Sequence, residues 1–383
     1  MNLYHTHVCL VSAQAAPNLL PLLDDSLKPK KVILLVTPQM RDKADYLSAV
    51  IMPRGIQVVI HHLKNAEAYD LIQDEILEIL SEEKPDNIAL NATGGTKWMS
   101  LAAVDTFRMN GSPVFYVDIN SDQILFLEKN EPAHKLTQNI KLTSYLNAYG
   151  YEVTNKDQAQ PQGLTKDLSH FCRELVMNVS NWGNAIGKLN RIASEADNNN
   201  TLVGQLNDLD YKDSQFSTLL KACLAANLID EFNIDTIVFK SQETRQLANG
   251  GWIEDYVNSL LNELKGKGKI QDSPKLNLCI KKVGSKKPHD NELDVAFMAK
   301  NRLHIIECKT KNFKGRSIKQ AGSETLYKLD SISDLGGLGT KAMLVSYREL
   351  SKPDQQRAKD LKIKVVEGRQ IQQLKSELES WLG

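Results

Sequence analysis

Asp294, Glu307 and Lys309 lie in the segment NELDVAFMAKNRLHIIECKT, where charged side chains interrupt two strongly apolar runs. Strand side chains alternate between faces, so Leu293, Val295 and Phe297 are expected on one face and Asp294 on the other. In the second run Ile305, Glu307 and Lys309 share a face. Paired as a hairpin, the two strands bring two carboxylates and an ammonium to one place in an apolar sheet, where burying them without a metal or partner is costly. Two carboxylates on a rigid sheet suit a hard divalent cation, Mg²⁺ or Mn²⁺, bound through oxygen ligands and waters. Such a cation lowers the pKa of a bound water and stabilises charge on a scissile phosphate. Lys309 would then orient or deprotonate the attacking water, or neutralise charge developing on the phosphorane. Cys308 faces away from Glu307 and is expected in the core rather than as a nucleophile.

A second constellation, Asn91-Ala92-Thr93-Gly94-Gly95-Thr96-Lys97, falls where an apolar run gives way to helical patterning. Gly94 and Gly95 allow close backbone approach, the amides of a helix N-terminus favour anions, and Thr93, Thr96 and Lys97 add donors and charge. The expectation is a phosphate site at the carboxyl end of a sheet. No GxxxxGK[ST] occurs, which excludes a Walker A loop, and the chain reads Val11-Ser12-Ala13-Gln14 where GxGxxG would stand, which disfavours NAD. Thr37, after the second apolar run, belongs to the same sheet edge.

These residues need elements to position them. From residue 4 to about 127, the runs HVCLV, VILLVT, IQVVIHH, NIALN and VFYVD alternate with helical patterning near 15–26, 40–52, 66–82 and 96–109. That is a βαβ series with a parallel, Rossmann-like sheet covered on both faces. A closing hairpin turns at Asn120-Ser121-Asp122. Residues 150–249 carry helical patterning near 164–180, 183–196 and 214–226, then a ribbon in LIDEFNIDTIVFK, compatible with a winged helix that either contacts nucleic acid or packs as a spacer. From 250 onward come a helix GWIEDYVNSLLNEL, strands near 276–283, 292–299 and 302–310, a helix, the strand AMLVS and closing helices. The fold class is therefore α/β, in three parts: 1–149 the Rossmann-like domain, 150–249 a helical connector and 250–383 a second α/β domain.

The third part resembles the PD-(D/E)xK nuclease superfamily. Asp294 matches its first acid and Glu307-Cys308-Lys309 its E-x-K, while Leu293 replaces the proline expected before the acid. The resemblance implies a further acid on the leading helix, which Glu254 in GGWIEDYV supplies as a third metal-site and catalytic residue. The first part, with Ser12 and Gln14 after strand one and TGGTK after strand four, resembles the CARF domain, the CRISPR-associated Rossmann fold. In that order the two look like the CRISPR ancillary nucleases of the CARF and restriction-endonuclease type. This resemblance implies a homodimer that binds a cyclic oligoadenylate, cyclic tetra-adenylate favoured, through Ser12, Gln14, Thr37 and the TGGTK loop. It also implies cutting of DNA, single-stranded RNA or both with a metal. Gln320, on the helix after the sheet, reads either as a contact to phosphate or base or as a solvated helix glutamine.

Composition agrees with a folded globular chain. The 383 residues carry 47 Lys+Arg against 47 Asp+Glu and are 42% hydrophobic, which excludes a disordered polyelectrolyte, and the length suits two or three domains. Residues 261–320 nonetheless hold 15 basic and 6 acidic residues, a surplus that fits either a nucleic-acid footprint or a solvated face. Five cysteines without a CxxC pair argue against a disulfide framework or zinc ribbon, and a reducing cytoplasm is the default. The N-terminus lacks the basic region of a signal peptide, and no window has the roughly 18 apolar residues of a membrane span. Two other readings compete: a non-enzymatic regulator with a degenerate nuclease scaffold, and a nucleotide-dependent metabolic enzyme, which lacks a catalytic His or cofactor fingerprint.

Overall fold

The computed structural model describes residues 4–128, 131–155, 163–287, 290–310 and 319–383. Its first layer is built from β1 (Thr6–Leu10), α1 (Ala16–Leu19), β2 (Lys31–Val36), α2 (Arg41–Ile51), β3 (Gln57–His62) and α3 (Tyr69–Ser81). Then follow β4 (Ile88–Asn91), α4 (Lys97–Met109), β5 (Val114–Asp118), β6 (Gln123–Phe126), β7 (His134–Lys135) and α5 (Leu142–Ala148). The sheet order is β3-β2-β1-β4-β5-β6-β7, parallel through β5 and antiparallel beyond it. β1, β2 and β4 are buried almost throughout, as strands covered on both faces must be. The helix expected near 15–26 is short: α1 ends at Leu19 and a 3₁₀ turn runs through Leu20–Leu22. Pro21 sits inside that turn, and its missing N–H denies the α-helix a hydrogen bond there.

The middle part comprises β8 (Tyr151–Val153), α6 (Lys166–Met177), α7 (Val179–Asn198), β9 (Val203–Gln205), α8 (Asp208–Tyr211), α9 (Ser214–Ala225), β10 (Ile229–Phe232), β11 (Thr236–Phe239) and α10 (Gln242–Gln246). Helices α6, α7 and α9 with the antiparallel sheet β10-β11-β9 have a winged-helix-like arrangement. β9 is only three residues long and carries too little alternation to be visible in sequence.

A turn at Leu247–Gly251, with Gly250 at φ 114°, leads into α11 (Trp252–Gly266). Then come β12 (Lys275–Lys282), β13 (Asn291–Ala299), β14 (Arg302–Lys309), α12 (Lys319–Leu335), β15 (Lys341–Ser346), α13 (Lys352–Asp360), β16 (Lys364–Glu367) and α14 (Leu374–Leu382). The sheet order is β16-β15-β14-β13-β12-β8, parallel on the β14-β15-β16 side and antiparallel elsewhere. β8, from the stretch expected to be connector, thus completes this sheet.

Two cores clamp the second sheet. Leu278, Leu293, Ala296, Met298, Leu303, Ile305 and Leu344 share one with Leu19, Leu47, Tyr145 and Tyr149 of the first part. Val295, Phe297, Ile306, Cys308, Met343 and Val345 share the other with Phe171, Trp182, Ile186 and Phe216 of the middle part. Leu293 therefore packs apart from Val295 and Phe297, contrary to simple alternation. The pleat is disturbed between Leu276, opposite Val295, and Leu278, opposite Leu293, because Asn277 takes a left-handed φ of 49°.

Candidate functional site

The β13–β14 hairpin turns on Lys300 and Asn301, whose φ values of 49° and 55° belong to a two-residue turn of the type I′ kind. That turn fixes the register Ala299 to Arg302 and, four pairs on, Val295 to Ile306. Asp294 and Glu307 follow that last pair and so fall on neighbouring strands at the same height. Asp294 Oδ2 accepts from the Cys308 backbone N–H at 2.8 Å and from Lys309 Nζ at 3.3 Å. Lys309 Nζ also lies 2.8 Å from Glu307 Oε1, so the ammonium bridges the two carboxylates. Glu307 is only 3% exposed, and Lys328 of α12 approaches the same oxygen at 3.7 Å.

The electrostatics follow from this crowding. Burial alone would lower the Lys309 pKa, but Asp294 and Glu307 together outweigh it and raise it, so the side chain stays cationic. Glu254, on the first turn of α11, is pushed up to about 8 by burial and then by the charge of Asp294, with Lys309 opposing. Its helix neighbour Asp255 rises to about 6 through burial. Cys308 is buried and its thiol is held well above the ordinary range, which leaves it inert. Among the described residues no three His, Cys, Asp or Glu side chains are grouped to hold a metal; what the fold assembles is the pair Asp294 and Glu307 on one ammonium, with Glu254 in their field. Gln320 is the second residue of α12, with its side chain outside the described residues.

The second constellation lies beyond the carboxyl ends of β1 and β4, where the strand order reverses. Gly94 runs against the end of β1: a Cβ there would meet Leu10 O at 2.1 Å and Ser12 Oγ at 3.4 Å, so the TGGTK and Ser12 loops touch. Gly95 has φ 77°. Thr93 donates to Asn91 Oδ1 at 2.7 Å and accepts from Val117 N–H at 2.8 Å, so its hydroxyl is committed to holding the loop. Thr96 caps α4 by accepting from Met99 N–H at 3.2 Å, and Lys97 is exposed at the helix start. Thr37 is buried at the end of β2, and its carbonyl accepts from Met40 N–H. Ser12 Oγ accepts from Gln14 N–H, but the Gln14 amide oxygen reaches the last domain, accepting from Leu338 N–H at 3.1 Å.

Sequence reasoning missed several supports. Ser100 Oγ donates to the carbonyls of Ala92 and Gly94, and Asn18 ties Leu10 O to Asn91. Asn190 of α7 meets Thr310, just past β14, at 2.7 Å. None has a local pattern; only Ser100, spaced a turn from Thr96 on the same helix, carried a faint signal.

Comparison with known families matches residues 6–145 to the Card1 CARF domain and residues 241–383 to the Card1-like endonuclease domain. Among solved structures the chain is similar to protein VC1899 from Vibrio cholerae, with 27% identity, 98% of this chain and 97% of that one covered, and a TM-score of 0.87. It is similar to Can2 from Sulfobacillus thermosulfidooxidans, solved in complex with cyclic tetra-adenylate, with 30% identity, 100% and 98% coverage, and a TM-score of 0.79. A type III CRISPR defence DNA nuclease activated by cyclic oligoadenylate shares the fold at 18% identity, with 90% of this chain and 45% of that one covered and a TM-score of 0.56. A comparison with functionally curated proteins gives no match.

Proposed function

The chain belongs to the Card1-like family, a CARF domain joined to an endonuclease domain, and on that premise we propose a metal-dependent nuclease switched on by a cyclic oligoadenylate, cyclic tetra-adenylate favoured. The observation that carries the reading is the convergence of Asp294 and Glu307 on one cationic point at the end of a rigid sheet. Oxygens already aimed at a positive charge fit a hard divalent cation, Mg²⁺ or Mn²⁺, and Glu254 joins them when it ionises. When bound, the cation supplies charge neutralisation at the scissile phosphate and a more acidic water.

The chain's own residues do the rest. Asp294, fixed by the Cys308 N–H, and Glu307, fixed by Lys309, hold their oxygens in place on the sheet. Lys309 keeps its proton and therefore serves as an electrostatic and hydrogen-bonding group toward the phosphate rather than as a base. Glu254, neutral or ionised near neutral pH, is suited to hold a water and move a proton. In the first domain, Lys97 and the amides of the Gly94–Thr96 turn face the ligand's phosphates, with Ser12, Gln14 and Thr37 around the base and sugar. Thr93 holds the loop through Asn91 and Val117.

The proposed working unit is a homodimer in the cytoplasm, with 1–149 sensing, 150–249 connecting and 250–383 cutting; among the described residues no helix is long and apolar enough to cross a membrane. The endonuclease match and the intact Asp294, Glu307 and Lys309 set leave no support for the degenerate-scaffold reading.

The test is to incubate the protein with Mn²⁺, cyclic tetra-adenylate and either plasmid DNA or single-stranded RNA. Cleavage should need both metal and ligand, and Glu307→Gln should lower it by roughly a hundredfold or more while ligand binding persists. Wild-type cleavage by Glu307→Gln, or full activity without ligand, would overturn the reading.

A further inference from the structure

The polar contacts that tie the first domain to the end of α12 converge on one turn, Gly336–Leu338. Gln14, two residues beyond Ser12, accepts there from Leu338 N–H at 3.1 Å and from the Tyr149 hydroxyl at 3.4 Å. The Tyr145 hydroxyl donates to Gly336 O at 2.6 Å, and the two tyrosine rings stack at 4.7 Å. The turn is shaped for this contact: Gly337 has φ 77°, and a Cβ there would come within 2.7 Å of both Gln14 Oε1 and the Tyr149 ring. The turn directly ends α12, and α12 carries the Lys328 whose ammonium stands 3.7 Å from Glu307 Oε1. A continuous series of contacts therefore runs from Gln14, beside the proposed ligand loops, through α12 to Glu307.

We infer that Gln14 is a latch shared between the ligand pocket and the nuclease. Both acceptor positions of its amide oxygen are taken by the turn and Tyr149, so a ligand that engages this oxygen must displace one of them. While the latch is made, α12 is held with Lys328 against Glu307, where its charge competes with a metal for the same oxygen. Releasing the turn lets α12 shift and takes Lys328 away from Glu307, which leaves Lys309 as the one ammonium of the pair on that oxygen. The ligand drives the shift because it binds the unlatched arrangement better, and coupling of this kind is worth about 5- to 150-fold in an equilibrium. Gln14 and Tyr145 are thus positioning residues that act through α12, an inference that rests on the ligand-gated nuclease reading above.

The experiment compares wild type, Tyr145→Phe and Gln14→Ala for Mn²⁺-dependent cleavage with and without cyclic tetra-adenylate, and follows amide exchange at Leu338. Tyr145→Phe, which removes the bond to Gly336 and keeps the stacked ring, should raise unstimulated cleavage about fivefold or more and lower the ligand concentration for half-maximal activity. Gln14→Ala should also raise unstimulated cleavage and speed Leu338 exchange, as the ligand should in wild type. Unstimulated cleavage unchanged in both folded variants, or Leu338 equally protected while ligand stimulates wild-type cleavage, overturns the latch. If wild type answers to no cyclic oligoadenylate, the sensor reading fails instead, and the unstimulated rates of the two variants still decide the latch.

Discussion

At the residue scale, Lys309 performs a structural task as well as a chemical one, because Glu307 is almost fully buried and Asp294 largely so. Removing one partner of a buried charged set leaves the others uncompensated, at a cost of about 3–5 kcal/mol. Lys309→Met should therefore lower the stability of the metal-free protein by roughly that amount, and Mn²⁺ should restore much of it, read as the melting temperature with and without metal. An equal loss in both conditions would argue that Mn²⁺ does not bind between these carboxylates. Glu254 gives a different signature. Its pKa is raised from 4.5 to about 8, so the folded state holds a proton that the unfolded state has lost. The associated stability is fully present below pH 4.5 and is lost as pH rises through about 8, by up to roughly 4 kcal/mol. Glu254→Gln should flatten that slope in chemical denaturation of metal-free protein between pH 5 and about 8, and an unchanged slope would mean that Glu254 is already ionised.

At the element scale, the start of α4 combines a helix cap with a ligand contact, and two substitutions separate them. Thr96 caps the helix through Met99 N–H, so Thr96→Ala should cost about 1 kcal/mol of stability whether or not ligand is present. Lys97 is exposed and makes no such cap; Lys97→Ala should leave the melting temperature in place while raising the ligand concentration needed for cleavage severalfold. The opposite pattern, a Lys97 variant that melts early and responds normally, would reduce TGGTK to a turn. The β13–β14 hairpin shows how an element makes a site: its turn sets the register, and a slip of one residue would send Glu307 and Lys309 to the opposite face.

At the scale of the whole molecule, the nuclease sheet is the central layer of a chain whose cores do not respect domain boundaries. One face packs on the first domain and the other on the winged-helix-like part, and β8 supplies an edge strand from outside the endonuclease segment. A fragment 241–383 would keep its own helices but uncover the parts of both faces that the first and middle parts pack on, and would lose β8. It should fail to fold cooperatively, whereas the full chain should melt as one dominant transition in calorimetry. A well-folded, sharply melting fragment would show that the shared cores contribute little.

The sequence by itself determined the alternation of strand and helix, the doubly covered first sheet, the turn chemistry of TGGTK and the acid, acid and lysine pattern on β13 and β14. Each is set by neighbours within a few residues, through side-chain period, glycine conformation or capping. Tertiary structure alone decided that Leu293 leaves the face of Val295, since that depends on Asn277 across the sheet. It alone brought Lys328 to Glu307 from 21 positions away, and turned Gln14 toward Leu338, 324 positions on. Contacts between residues so far apart leave no period in the chain, because they arise only when independently formed layers pack, and the link between pocket and carboxylate is made of contacts of that kind.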